Sequence, residues 1–435
     1  MLTGKGRAAE VVEKQVEAAV AINLSRMKNR CLTLALVASA LSVSGQKGRD
    51  SVYKKQRISR TDIQVLSSVY GQNGDHSAIT GGTGTEWLLV YSPEFTITCR
   101  PDSIRIFQFN MGVDVITSAS MDNIDFVRSS ASRVFHRLHM DPSCSYLFKK
   151  SRVRAGVNSG ISIESDYLSI PAGLSVNHNN ASGSREISAS LQCYFDDLRW
   201  GLLGFNRGRP VGLIYPVELR DTNWSSTYRR NSYNLSLAFY QVINEKTQFA
   251  LFPELVFQKG LLCTPYHRVY FDDGKTERVE KLPDERWKFP LGIQVNFFAG
   301  RRLIIRSYYR YFMDNFGIKA HTVQVETPVK ISPGLTISPL LRWYVQTAAW
   351  YFRSYKAHDP GEQYYTSDYD LSRFTSYKAG LTVRYARQTD LSEHYLFNTL
   401  TLRYAFYRRS DGLVGNILSL MMEIEHIGKK DAGAH

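Results

Sequence analysis

Three groups of side chains in this sequence have types and spacings that suit catalysis or ligand binding. His139, Asp141 and Ser143 alternate along one segment, and residues two apart point to the same side of a strand. Hydrolysis by such residues requires the nucleophile or acid to lie beside the histidine at one level of the structure. No supporting motif surrounds the three residues, so the sequence predicts that the protein is not an enzyme.

Asp75 and His76 form a second group, in a glycine-rich segment. Two adjacent residues provide too few ligands for a metal site, which favours a solvated loop. The nearby Gly81–Gly84 run precedes no helix whose amino end would hold a phosphate group. It is instead typical of backbone that turns tightly. The sequence therefore predicts neither a cofactor nor a metal ion.

The third group is Tyr266, His267 and Arg268, which are consecutive. An aromatic ring, an imidazole and a guanidinium are suitable groups for binding an anion from outside. A contact folded into the loop itself explains the same residues at least as well. Both interpretations remain open at this point.

The elements that must position these residues are strands with a period of two. Between Trp287 and Met313, two alternating segments are joined by a tight turn at Ala299–Arg302. One face of the first segment is apolar, and the other carries polar residues. The apolar face consists of Phe289, Leu291, Ile293, Val295 and Phe297. This alternation indicates a strand whose two sides meet different media.

The same alternation predicts about sixteen strands between residues 61 and 427, of which the thirteenth runs from Leu335 to Phe352. Connections after even-numbered strands are mostly short, and the long loops follow odd-numbered strands. An up-and-down transmembrane barrel has this asymmetry and an even strand number, whereas a soluble β-sandwich or propeller requires neither. We therefore predict an all-β, antiparallel transmembrane barrel. Candidates for its aromatic girdles are Trp87, Tyr233, Phe257, Phe289, Tyr309, Tyr311, Trp343, Tyr377 and Tyr404.

The amino-terminal region has the pattern of an export signal. Met27 starts a basic segment that is followed by about a dozen apolar residues and then by small residues, as in secretory signal peptides. Residues 27–45 are therefore predicted to be a signal peptide and residues 1–26 an upstream extension. A short amphipathic helix from Glu10 to Leu24 is the alternative. Residues 46–60 are predicted to be a basic flexible segment, 61–427 the barrel and 428–435 a C-terminal tail.

The formal net charge is +14. On an exported protein, a basic surface indicates contact with anionic lipid, lipopolysaccharide or acidic solutes. No nucleic-acid motif is present. The predicted partners are outer-membrane lipid, lipopolysaccharide and the barrel-assembly machinery. The predicted location is the outer membrane of a Gram-negative bacterium, after cleavage of the signal peptide.

The predicted inner face of the barrel carries many charges. The basic residues are Arg306, Arg310, Lys330, Arg342, Arg384 and Arg403, and the acidic ones are Glu94, Asp114, Asp141, Glu254, Glu326, Glu423 and Glu425. Opposed charges across a water-filled barrel select solutes by charge and size. In a plugged barrel the same residues pair and fill the interior, together with aromatic residues such as Tyr240, Tyr308, Tyr344 and Trp350. The sequence leaves both interpretations open.

Several motifs resemble those of a large family of exported proteins known only as a domain of unknown function, whose members are taken to be outer-membrane β-barrels. These motifs are Ser67–Tyr70, Gly74–Glu86, Gly112–Ser120 with Asp122–Asp125, Leu213–Pro216, Arg230–Tyr233 and Gly260–Phe271. The resemblance extends from about Arg57 to Ile427. It implies the barrel fold and assigns no chemistry to any residue. One departure is the end of the chain. Outer-membrane barrels usually finish on an aromatic residue, whereas this chain continues from Ile427 to His435.

Two functions are compatible with these features. The first is a porin-like passive channel for small polar or anionic solutes. The second is a non-conducting barrel that binds a surface partner through its long loops at Ser118–Val134, Asp196–Arg229, Leu262–Arg286 and Arg353–Arg373. Neither the solute nor the partner follows from the sequence.

Overall fold

A computed structural model describes residues 58–118, 134–163, 168–198, 229–264, 267–392 and 394–429. The predicted upstream extension and signal peptide lie outside these residues. So do most of the predicted flexible segment and the last six residues of the predicted tail. The first strand begins at Ile58 and the last ends at Lys429.

Most of the described chain consists of long strands. The barrel strands are β1 (Ile58–Asn73), β2 (Leu88–Arg100), β3 (Arg105–Ser118), β4 (Val134–Phe148), β5 (Val153–Ser159 and Ile161–Ile163), β6 (Leu168–Asn179), β7 (Arg185–Asp197), β8 (Arg229–Asn244), β9 (Thr247–Gly260), β10 (Glu285–Ala299), β11 (Leu303–Asp314), β12 (Lys319–Glu326 and Val329–Ser332), β13 (Leu335–Gln346), β14 (Phe374–Ser392), β15 (Tyr395–Arg409) and β16 (Val414–Lys429). β5 and β12 are each interrupted once. Two short 3₁₀ turns, Ala78–Thr80 and Tyr369–Leu371, lie in loops. No helix in the described part of the chain is long and apolar enough to cross a membrane.

The strands form one closed antiparallel sheet. Each strand pairs with its neighbours in the chain, and β1 pairs with both β2 and β16, which closes the sheet. The predicted sixteen-stranded up-and-down barrel is therefore confirmed. Closure removes the unpaired edges that an open sheet exposes. It also leaves every strand with one face inside and one outside.

The two faces differ as the alternation predicts. On β10, Trp287, Phe289, Leu291, Val295 and Phe297 are exposed apolar side chains. The residues between them face the other side and are mostly polar. Exposed apolar residues recur on most other strands, for example Leu400, Leu402, Tyr404 and Phe406 on β15. A continuous apolar outer surface of this kind suits hydrocarbon rather than water.

Stacked aromatic rings mark part of this outer surface near the long-loop end. The rings of Tyr233 and Phe257 are 6.3 Å apart, and those of Phe257 and Trp287 are 4.3 Å apart. The hydroxyl of Tyr309 and Nδ1 of His321 share a hydrogen bond of 2.8 Å. Aromatic residues with a polar edge are common at the boundary between lipid and water.

The connections differ at the two ends of the barrel. The turns after β8, β10 and β12 contain two or three residues, whereas the loops after β1, β9 and β13 are much longer. The predicted extension of the thirteenth strand to Phe352 is wrong, because β13 ends at Gln346. Beyond it, the chain leaves the wall and Ala349 packs against Phe316 and Ile318.

Three of the long loops form one structured unit. We call loops 74–87, 261–284 and 347–373 the mouth assembly. Within it, Arg268–Tyr270 pairs with Glu277–Val279 as a small hairpin. Val269 and Phe271 of this hairpin form a buried cluster with Tyr365. The loops are thus held by a hydrophobic core of their own.

Candidate functional site

The strand register places the predicted inner residues on one face of the wall. Arg306 lies opposite Asn296 and Glu326, and Arg310 lies opposite Gly292 and Thr322. The same parity, followed from strand to strand, places the remaining predicted residues on this inner face: Glu94, Asp114, Asp141, Glu254, Lys330, Arg342, Arg384, Arg403, Glu423 and Glu425.

Some of these inner charges are paired. Arg310 Nη2 donates to Glu254 Oε2 at 2.9 Å. Arg306 Nη1 lies 3.5 Å from Glu326 Oε2. Asp114 lies 3.8 Å from Arg137, a residue on the neighbouring strand. Paired charges of opposite sign largely cancel at a distance, so they contribute little to the field along the barrel.

A second set of inner cations has no carboxylate partner within ion-pair distance among the described residues. Arg342 and Lys378 lie opposite each other on β13 and β14. Arg403 lies opposite Thr382 and donates to its hydroxyl at 3.3 Å. Arg384 is the next inward residue of β14 after Thr382. We call these four residues the basic ladder.

A polar but mostly uncharged surface covers β5 to β8. Its inward residues are Asn158, Gly173, Ser175, Asn177, Ser188, Ser190, Gln192, Asn234 and Ser236. A recess of about 340 Å³ lies beside it, where Ser188, Ser190 and Ser236 meet Phe252, Glu254 and Tyr308. The interior is therefore asymmetric, with the basic ladder on β13 to β15 and mostly uncharged polar residues on β5 to β8.

The candidate catalytic residues do not form a catalytic arrangement. His139, Asp141 and Ser143 share the inner face of β4, opposite Gly112, Asn110 and Gln108. His139 and Ser143 are four residues apart, which corresponds to about 13 Å along a strand. This separation is far beyond hydrogen-bond length. The His139 ring instead packs over Gly112, where a side chain would collide with it.

Asp75 is exposed, but His76 takes part in the mouth assembly. Its ring stacks on Tyr369 with centroids 3.8 Å apart and planes 6° apart. Its Nδ1 lies 3.0 Å from the carbonyl oxygen of Gly82. The predicted solvated loop is thus wrong for His76, because the ring lies against loop 347–373.

The glycine run turns tightly, as its composition predicts. Gly81, Gly82 and Gly84 have φ values of +79°, +87° and +83°, a region that side chains disfavour. The packing imposes a second requirement. A Cβ on Gly82 would lie 2.8 Å from the carbonyl oxygen of Ser367, and one on Gly81 would lie 2.5 Å from the ring of Tyr270. The run allows loop 74–87 to contact both other loops.

The mouth assembly contacts the inner side of the wall. Gln346, an inward residue of β13, donates to the carbonyl oxygens of Asp370 and Ser372 at 2.9 and 2.6 Å. Arg409, an inward residue of β15, donates to the carbonyl oxygen of Tyr369 at 2.8 Å and to Asp370 Oδ1 at 2.5 Å. Its guanidinium also lies over the ring of Phe374. Loop 347–373 therefore lies inside the rim on this side of the barrel.

The described residues of the third candidate group, His267 and Arg268, lie within the mouth assembly. Tyr266 lies outside the described residues. Arg268 is 8% exposed and lies 3.7 Å from Glu277. His267 Nδ1 lies 3.7 Å from both Glu280 Oε2 and Asp368 Oδ2. An anion arriving from outside would meet two carboxylates here, so this arrangement favours the contact folded into the loop over an anion site at these two residues.

The charges of this group shift one another's pKa values. Burial alone would lower the pKa of His267, but Glu280 and Asp368 outweigh it and raise the pKa to about 9. Burial, together with Asp370 and Glu280, raises the pKa of Asp368 to about 6 against the opposing effect of His267. Glu280 is almost fully buried, yet His267 and Thr366 hold its pKa below the ordinary value. The three groups therefore act as one unit.

Sequence reasoning missed Glu280, Asp368 and Arg409. Glu280 and Asp368 lie in loops without periodicity, 13 and 101 residues after His267. No local pattern identifies such partners. For Arg409 a signal existed, because it has the inward parity of Arg403 and lies at the end of the same strand, β15.

Several solved structures are similar to this chain, all at low identity. Pseudomonas aeruginosa OccK1 (OpdK) aligns with a TM-score of 0.39 and 8% identity, over 85% of this chain and 99% of that one. A BenF-like porin from Pseudomonas fluorescens Pf-5 aligns with a TM-score of 0.41 and 7% identity, over 85% and 99%. A bacterial polysaccharide outer membrane secretin gives 0.39 and 10%, over 84% and 98%. No curated protein matches the chain.

A family match covers most of the barrel. It runs from residue 134 to residue 418, well over half of the chain, and includes the basic ladder, His267, Glu280 and Asp368. The family has no assigned activity. The chain belongs to the family described as "Protein of unknown function (DUF3570)".

Proposed function

We propose that this protein is a passive channel of the Gram-negative outer membrane that passes small polar solutes and prefers anions. The support is physical. A closed barrel of sixteen strands is wide enough to enclose an aqueous passage, and its outer surface is apolar while its inner surface is polar. The basic ladder adds an uncompensated positive charge to one side of that passage.

The observation that carries the proposal is the exposure of inward-facing guanidiniums. Arg342, Arg384 and Arg403 have inward parity and are nevertheless exposed. Inside a closed barrel, an exposed side chain must face water-accessible space. If the interior were plugged at this level, these residues would be buried and would require carboxylate partners.

The ladder is strong enough to affect permeation. In water, one unit charge at about 7 Å contributes roughly 0.6 kcal/mol to the energy of a passing ion. That energy corresponds to about a threefold enrichment of anions for each cation, and screening by salt reduces it. Several cations on the same wall act together, so a measurable anion preference follows.

The test is a comparison of two double variants in planar bilayers under a salt gradient. Arg342→Gln with Arg403→Gln removes two positive charges from the ladder. We expect the anion-to-cation permeability ratio to fall severalfold at low salt, with single-channel steps retained. The readout is the reversal potential.

The control is Glu254→Gln with Arg310→Gln, which removes a pair and leaves the net charge unchanged. We expect its reversal potential to remain close to that of the parent protein. A fully assembled parent barrel that shows no stepwise conductance would contradict the channel. Equal shifts in the two double variants would contradict the role of the ladder.

The alternative, a non-conducting surface-binding barrel, receives less support. Of its four loops, residues 119–133 and 199–228 lie outside the described residues. The other two loops pair with each other, and loop 347–373 also contacts Gln346, an inward residue of the wall. Their buried residues therefore do not form an outward-facing binding surface.

A further inference from the structure

We propose that His267, Glu280 and Asp368 form a site for a divalent first-row transition-metal ion, such as Zn²⁺ or Mn²⁺, that joins loop 261–284 to loop 347–373. This inference does not depend on the channel function. One imidazole and two carboxylates are a ligand set that such ions accept.

The spacing of the three ligand atoms fits a shared ion. His267 Nδ1 lies 3.7 Å from Glu280 Oε2 and 3.7 Å from Asp368 Oδ2, and all three groups offer ligand atoms within 4.8 Å of one another. Metal–ligand bonds of about 2.0 to 2.2 Å place neighbouring ligand atoms roughly 3 to 4 Å apart. Three protein ligands leave one coordination position for water. Water can reach the ion from the side of Asp368, which is more exposed than Glu280.

The imidazole itself lacks a hydrogen bond at this position. His267 Nδ1 is a buried atom with no hydrogen-bond partner. A separation of 3.7 Å is too long for a hydrogen bond to either carboxylate. Buried polar atoms are rarely left in this state, and an ion between the three groups would satisfy the nitrogen.

The other contacts of the carboxylates orient them toward the imidazole. Thr366 Oγ1 donates to Glu280 Oε1 at 2.5 Å, and the Thr264 amide donates to Glu280 Oε2 at 2.8 Å. The Asp370 amide donates to Asp368 Oδ1 at 2.9 Å, which leaves Oδ2 directed at His267. Metal ligands are commonly held by such second contacts.

The backbone fixes two ligands relative to each other. The Glu280 amide donates to the His267 carbonyl oxygen at 3.0 Å. Asp368 reaches the site from the other loop, which pairs with loop 261–284 through the Lys281–Tyr365 bridge. Two carboxylates around one imidazole leave an excess of negative charge that a divalent ion would neutralise.

The test uses the full barrel in detergent, first stripped with a chelator. Zn²⁺ is titrated by calorimetry, and Co²⁺ is titrated by its visible absorption as a spectroscopic substitute for Zn²⁺. We expect one saturable site per chain. His267→Gln should weaken binding by at least about tenfold, because it removes a ligand rather than an outer contact.

His178→Gln is the matched control. His178 is exposed and lies near the short-turn end of β6, away from the mouth assembly, so binding should not change. If H267Q does not assemble, Asp368→Asn replaces it, because the Asn side chain still accepts from the Asp370 amide while losing the charged ligand. The proposal is overturned by a parent protein without a saturable site, by an assembled ligand variant that binds as the parent does, or by equal losses in H178Q.

Discussion

Gly82 shows how one residue determines the packing of two loops. Its φ is +87°, and a Cβ would lie 2.8 Å from the Ser367 carbonyl oxygen. For Gly82→Ala we expect about 1 kcal/mol of backbone strain, in addition to a clash with backbone that cannot rotate away. Loop 74–87 should separate from loop 347–373, and the amides of Arg353 and Thr366 should exchange hydrogen faster.

Gly274→Ala is the control for this change. Gly274 has a similar φ of +66°, but nothing lies within 4 Å of the added Cβ. We expect only the backbone strain and no change in exchange at Arg353 or Thr366. Equal effects from both substitutions would show that the contact with Ser367 is unimportant.

At the level of single residues, alternation alone predicted which side chains face inward. Arg342 and Arg403 follow from it, because a period of two is a property of any strand. Alternation did not predict that Arg310 is paired with Glu254 while Arg342 is not paired with a carboxylate. That difference depends on which residues neighbouring strands place opposite each other, and therefore on the register.

The strands themselves make the next prediction. Leu291 is an exposed outward residue of β10, and Gln294 is an inward residue of the same strand. Leu291→Arg puts a charge into hydrocarbon and should destabilise the folded barrel by about 2 to 4 kcal/mol if the position lies near the bilayer midplane. Urea unfolding in lipid vesicles measures this cost.

The same charge on the inner face should be tolerated. For Gln294→Arg we expect a change in unfolding free energy well below that of L291R, because the guanidinium meets water and the polar groups of Asn296 and Tyr308. Comparable costs for the two variants would contradict the assignment of the two faces.

β13 shows where strand patterning stops being informative. Trp350, Tyr351 and Phe352 continue the aromatic character of the strand, and the sequence predicts that the strand ends at Phe352. The strand ends at Gln346 instead, and Gln346 binds carbonyl oxygens of the returning loop. Ala349 and Phe352 then pack on the cluster around Phe316. Tertiary contacts override the local pattern here.

On the scale of the whole molecule, the mouth assembly should respond to pH in the absence of metal. The pKa of His267 rises from its ordinary 6.5 to about 9. Its contribution to docking of the loops is therefore complete below pH 6.5 and is lost as the pH rises toward 9. The pKa of Asp368 is raised from 3.8 to about 6. Its contribution to docking of the loops is therefore also lost as the pH rises, but between about pH 3.8 and 6.

Glu280 acts in the opposite sense. Its pKa is lowered, so its contribution is present above its ordinary value and is lost in acid. Between pH 6.5 and 9, in chelator, we expect hydrogen exchange in residues 351–366, corrected for its intrinsic pH dependence, to accelerate severalfold. His267→Gln should remove this dependence. The same slope in H267Q would contradict the assignment to His267.

The sequence by itself determined the sixteen strands, their inward and outward faces and the side of the barrel that carries long loops. These features follow from local periodicity and from connection lengths. Only the tertiary structure decided that loop 347–373 folds inside the rim, that loop 261–284 pairs with it, and that His267 meets Glu280 and Asp368. Loops have no repeating pattern, and their contacts depend on the closed wall, in which β9 and β13 both end at the rim that carries the long loops. Periodicity fixes the side to which a residue points, whereas the fold decides what it meets there.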